Sequence, residues 1–257
     1  MNSLRFTTES SSDGVRERDF TVGDVPGVLW SPASTGSAPA STGPAPLVLM
    51  GHGGGADKRH RAMVGRAHLL VTRCGFHAAV IDAPGHGDRP RSARDEQDIA
   101  ELRRAQGSGA PEAPVVVPYN VRLAEQAVPE YRATLDALQE LPEIGTGGPV
   151  GYVGLGLGMA IGMPLVAAEP RITAAVFGMT WPDALFEAAK RITVPVEFAM
   201  HWDSERIPRE ASLALFDAFA SAEKSLHANA GEHVAWQLAE ADSATRFFAR
   251  HLSPARP

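Results

Sequence analysis

The sequence is 257 residues long and has a single cysteine, Cys74, so it cannot form an internal disulfide. Positive charge is also short. Twenty-four Lys and Arg stand against 30 Asp and Glu, for a formal net charge of −6, and no basic run offers a footprint for nucleic acid or an anionic membrane surface. Long apolar runs are missing. The most apolar stretch, Val153 to Ala168, carries four glycines and stops at Glu169, which is too short to span a bilayer. The start MNSLRFTTESSS lacks the basic-then-apolar order of a secretory leader. These absences exclude a disulfide-stapled scaffold. They lead to the expectation of a cytoplasmic protein with no nucleic-acid or membrane partner.

What is present is an alternation. Apolar runs of strand length fall at 47–50, 77–82, 150–154, 173–178 and 195–200, between helix-like segments near 59–74, 119–140, 157–168, 208–222 and 236–251. A short antiparallel pair at 18–22 and 26–31 precedes them, and a strand at 224–229 precedes the last helix. Such a sequence predicts an α/β protein with a mostly parallel eight-stranded sheet and helices on both faces. One domain over 1–257 is expected, with residues 1–17 as a polar tail and Ser34 to Pro46 as a loop. After the fourth strand, residues 88–118 interrupt the order with a charged segment and then GSGAPEAP, either a small lid over the strand ends or a solvated excursion.

In parallel sheets ligands bind beyond the carboxyl ends of the strands, so the residues directly after each apolar run carry the functional signal. Here they are Gly51-His52-Gly53-Gly54-Gly55, then Asp82-Ala83-Pro84-Gly85-His86-Gly87-Asp88, then Gly154-Leu155-Gly156-Leu157-Gly158. Glycine at such turns lets backbone N–H groups face a ligand, as the stabilisation of a developing oxyanion requires.

The joint order His-Gly-Gly, Asp-x-x-Gly-His-Gly and Gly-x-x-x-Gly resembles the α/β-hydrolase fold, and most nearly bacterial hydrolases of the dienelactone-hydrolase-like kind, from about Val25 to Leu252. The resemblance implies cleavage of esters, lactones or related acyl bonds by a Ser-His-Asp triad, with a small carbonyl compound as ligand and no cofactor or metal. It places oxyanion donors at the backbone of Leu157 and Gly54, with Gly53 as the lesser choice. It makes His233, between the last strand and the last helix, the general base, and leaves His52, His86 and Asp88 in supporting positions. The acid falls in Asp203-Ser204-Glu205. The pattern's own position is Ser204; Asp203 is favoured, and Glu205 stays open.

The nucleophile is the departure. The centre of the third turn is Gly156, and no serine occurs between Ile144 and Ser204 to replace it. Two explanations stay open: an engineered replacement of serine, or a natural member that kept the pocket for binding or for a non-covalent reaction using His233. A dinucleotide-binding loop is excluded by spacing, since the third glycine position is Met159 or Ile161, and Gly55-Ala56-Asp57-Lys58-Arg59 is not a phosphate loop. A metal site from His52, His86 and Asp88 matches no familiar ligand spacing. Trp181, Trp202 and Trp236 are candidates to line the pocket, and a homo-oligomer is left open.

Overall fold

The computed structural model describes residues 3–33, 44–231 and 238–253. Strands β1 (Leu4–Ser12), β2 (Val15–Val22) and β3 (Val25–Pro32) run antiparallel. Strands β4 (Leu47–Gly51), β5 (His77–Ile81), β6 (Val150–Leu155), β7 (Ile172–Gly178), β8 (Val196–His201) and β9 (Lys224–Asn229) run parallel. Together they form one sheet in the order β1-β2-β3-β5-β4-β6-β7-β8-β9. The helices are α1 (Arg61–Cys74), α2 (Ala93–Ser108), α3 (Ala113–Gln139), α4 (Leu157–Ala168), α5 (Phe186–Ala189), α6 (Arg209–Ala218) and α7 (Leu238–Leu252).

The central strands are continuous apolar runs because both faces are covered. Their alternation sorts side chains into two cores. Leu47 and Leu49 of β4 pack with Leu123 and Leu135 of α3, Ile161 of α4 and Leu215 of α6. Val48 and Met50 pack on the other face with Leu70 of α1 and Phe248 of α7. None of the described helices is long and apolar enough to cross a membrane.

The sheet has nine strands rather than eight, because the expected polar tail is β1 and the start of β2. Its polarity is that of an edge strand, which pairs on one side and leaves most side chains in solvent. The signal for it is Asp13-Gly14, both at positive φ (51° and 77°), a two-residue hairpin turn joining Ser12 to Val15. Residues 34–43 of the expected loop lie outside the described residues.

The insertion is not an irregular excursion. It contains α2, which opens on a capping box of Ser92 with Asp95 and closes on Gly109 in the left-handed conformation, and the first turns of α3. Helix α3 begins at Ala113, six residues before its expected start, with a proline in its first turn and two more, Pro118 and Pro129, inside it. Interior prolines read locally as breaks. The long helix survives them because Leu123, Ala127, Tyr131 and Leu135 bury a continuous stripe against the sheet.

The hydroxyl of Tyr131 donates to the carbonyl of Met50 at 2.9 Å, both groups being buried at the end of β4. Tyr131→Phe removes that bond and is expected to lower the free energy of unfolding by about 1 kcal/mol in urea titrations. An unchanged midpoint would show that the bond contributes nothing.

Candidate active site

The third glycine turn forms a sharp corner between β6 and α4. Gly156, at φ 55° and ψ −120°, precedes Leu157, the first residue of α4, and provides no side-chain cap to the helix. The first-turn N–H groups therefore face the strand ends with the positive end of the helix dipole behind them. A Cβ placed on Gly154 would lie 2.3 Å from the carbonyl oxygen of Gly158, and one on Gly158 would lie 2.3 Å from that of Gly51. At Gly156 the nearest atom would be the Met179 oxygen, at 3.8 Å. The flanking glycines are thus demanded by close packing of backbones, whereas the central one has room for a side chain.

The first glycine turn faces this corner. Gly54 lines the same cavity as Gly156 and Leu157. Gly53 does not line it, and its carbonyl accepts from Ala56 N–H at 3.2 Å and meets the His52 ring. The His52 ring braces two turns: Nε2 accepts from the Ala83 N–H at 3.0 Å, so Nδ1 carries the proton and donates to the Gly53 carbonyl at 2.9 Å. Burial, partly opposed by that carbonyl and reinforced by His86, lowers the His52 pKa to about 4. His86 lies 5.3 Å from His52, centroid to centroid, and borders the cavity. Asp88 turns away from both rings to Lys58, whose ammonium also reaches Asp82 at 2.7 Å. Asp82 further accepts from the backbone N–H of Lys58 (2.8 Å) and of Asp88 (3.0 Å), which fixes the second turn.

On the acid side, Asp203 Oδ2 accepts from Gly231 N–H at 2.9 Å, and Oδ1 lies 3.5 Å from Arg209. Ser204 instead caps its own turn, accepting from Ile207 N–H at 3.1 Å, and Glu205 is exposed. Of the three alternatives, Asp203 is the one that meets the turn leading toward His233. His233 and Trp236 lie outside the described residues. The chain on either side of that segment is tied together. Glu240 of α7 accepts from Asn229 Nδ2 at 3.0 Å and lies 2.8 Å from His227 Nδ1. Glu197, His227 and Glu240 are also the one group of metal-binding side chain types that cluster among the described residues.

The cavity above Gly156 measures about 410 Å³. Helix α2 supplies Ile99, Leu102 and Arg103 to its wall and α3 supplies Val116, Tyr119 and Asn120, so part of the insertion borders the same cavity as the strand-end turns. Met179, Thr180 and Trp181, following β7, complete it. Sequence reasoning passed over Met179 and Thr180, although both directly follow a strand end, and Met179 takes a positive φ of 66°. Trp202 is not in this wall; it is 39% exposed, with the Arg209 guanidinium 4.1 Å over its ring.

No family model matches the chain, and no curated protein matches it. Solved structures do. A cold-adapted esterase from an Arctic intertidal metagenomic library, bound to PEG, is 29% identical with a TM-score of 0.72 over 95% of this chain and 97% of that one. Est1E from Butyrivibrio proteoclasticus, with ferulic acid bound, has a TM-score of 0.64 at 14% identity over 95% and 99%. Acetyl xylan esterase 1 from Thermoanaerobacterium sp. JW/SL YS485 has a TM-score of 0.63 at 14% identity over 97% and 88%. The chain has the α/β-hydrolase fold, and these structural neighbours are esterases.

Gly158→Ala is expected to cost about 3 kcal/mol of stability, because backbone must move, against about 1 kcal/mol for Gly156→Ala, where strain in φ is the only penalty. Equal losses in thermal melts would contradict the packing argument. Stability should also depend on pH. His52 and His77 are both held near pKa 4, below the ordinary 6.5, by burial. The unfolded chain therefore takes up protons that the folded chain refuses. Each ring's contribution, on the order of 3 kcal/mol, is complete above pH 6.5 and is lost as pH falls toward 4. Urea denaturation across that range should show a steep loss of stability, shallower in His77→Asn; identical slopes would refute it.

Proposed function

We propose that the site takes a small ester, lactone or related carbonyl compound, and that the chain is an ester hydrolase of the dienelactone-hydrolase-like kind with glycine in the nucleophile's place. The observation that carries this reading is the corner at Gly156. Its backbone holds a conformation that glycine adopts freely and that would strain any residue with a Cβ, at the head of a helix, beside a cavity, with space for a side chain that packing does not forbid. A non-glycine residue at this corner would be held there only because the surrounding structure enforces it, as happens at functional sites.

In this reading the Leu157 and Gly54 N–H groups polarise the ligand's carbonyl, with Gly53 shaping the turn rather than donating. His233 is the base, Asp203 orients it, and His52, His86 and Asp88 hold the turns in place. Without an Oγ at 156 no acyl-enzyme forms there. The remaining chemistry is base catalysis by His233 on water or on the ligand, since oxyanion donors act independently of the nucleophile.

A second reading rests on the same glycine: a binding protein, or a non-hydrolytic catalyst, using the same pocket. His233→Ala separates these, because a binder retains its affinity and a catalyst loses turnover. The first experiment is a turnover assay on short-chain esters and lactones with the chain as it stands and with Gly156→Ser. The serine form is expected to exceed the native chain by at least about 10³-fold. If neither turns over, the hydrolytic reading is wrong.

A further inference from the structure

A second cavity, of about 350 Å³, lies beside the one above Gly156. One stripe of α3, Val117, Val121, Ala124 and Val128, forms one wall, and Ala160 and Pro164 of α4 form the other. The spacing of the stripe places these four residues on a single helical face. Val121 is 39% exposed; among the described residues, it and Trp202 are the two large apolar side chains left so open. An apolar face of this kind beside an active-site cavity calls for an apolar occupant.

Continuity identifies the occupant. Asn120 and Trp181 belong to the walls of both cavities, so the indole stands between the chamber over Gly156 and the apolar one. Trp181 is held from three directions. It follows β7 through Met179, whose carbonyl is the atom nearest the open position at Gly156. The Arg206 guanidinium lies 5.4 Å from its ring. Arg206 in turn forms two hydrogen bonds to Glu112, at the turn between α2 and α3, one of them from Nε at 3.0 Å. The partition is therefore fixed by the loop after β7, the loop after β8 and the insertion together.

We propose that the second cavity is the subsite for an unbranched alkyl arm of the ester and that Trp181 sets how that arm is admitted, which makes the substrate class medium-chain aliphatic esters. This rests on the carbonyl-binding reading of the Gly156 chamber. The chain as it stands suits the test, because without a nucleophile it is expected to turn an ester over at least about 10³-fold more slowly than Gly156→Ser, which leaves the ester intact during titration. Calorimetric titration of the methyl esters from acetate to decanoate should show affinity rising about fourfold per added methylene until the chamber is full. Val121→Trp, which fills the chamber from its exposed rim, should remove the rise, and Ala184→Phe should do so from the segment between β7 and α5, which also lines it. Affinity that is flat with chain length, or a rise unaltered in both variants, overturns the subsite. Length-dependent binding with no turnover by Gly156→Ser keeps the chamber and removes the hydrolytic reading. Turnover by Gly156→Ser that ignores both chain length and Val121→Trp does the reverse.

Discussion

Backbone meets backbone where the end of β4 crosses the first turn of α4, and the rest of the site is hung from that contact. Gly51 and Gly158 approach so closely that a Cβ on either would lie within 3 Å of the other's backbone, and Gly154 meets Gly158 in the same way. The Tyr152 hydroxyl donates to the Gly158 carbonyl at 2.6 Å and closes the gap from the side. No side chain separates the two turns, so Gly54 and Leu157 can border one small volume. The buried Tyr131 bond to Met50 holds the neighbouring end of β4 from the adjacent helix of the same layer. At this crossing not even a methyl group fits.

Much of this was legible in the sequence. Buried parallel strands read as unbroken apolar runs, so β4 to β8 and helices α1, α3 and α4 stand out, and glycine at three strand ends marks the candidate site. The α4 boundaries, 157–168, agree with the structure because the corner at Gly156 is abrupt. Edge strand β1 was not legible, since water covers most of its side chains and takes away the alternation that reveals a strand. Helix α2 was hidden for a related reason, for the side chains it buries are Asp95 and Asp98, which in a sequence look like surface.

The site divides along the same line. Gly156, Leu157 and Gly54, each marked in sequence by its own turn, border one cavity. Residues that depend on distant partners could not be placed from sequence. Nothing near Asp88 announces that Lys58, thirty residues earlier, claims its carboxylate. Nothing near Asp203 announces the Gly231 N–H. The tie between Asn229 and Glu240, across the segment that contains His233, likewise appears only when β9 and α7 are brought together.

The insertion over the cavity is attached by charge. Arg122 of α3 reaches both Asp95 and Asp98 at 2.8 Å, Arg206 holds Glu112, and Arg89, just before α2, forms two bonds to Glu130 at 2.7 and 2.8 Å. Apolar contacts weaken on cooling, but ion pairs of this kind do not share that temperature dependence, and dissolved salt screens those that reach solvent. Helix α2 and the start of α3 are thus joined to the cavity's border by charge, whereas the strands beneath them are joined by the two apolar cores.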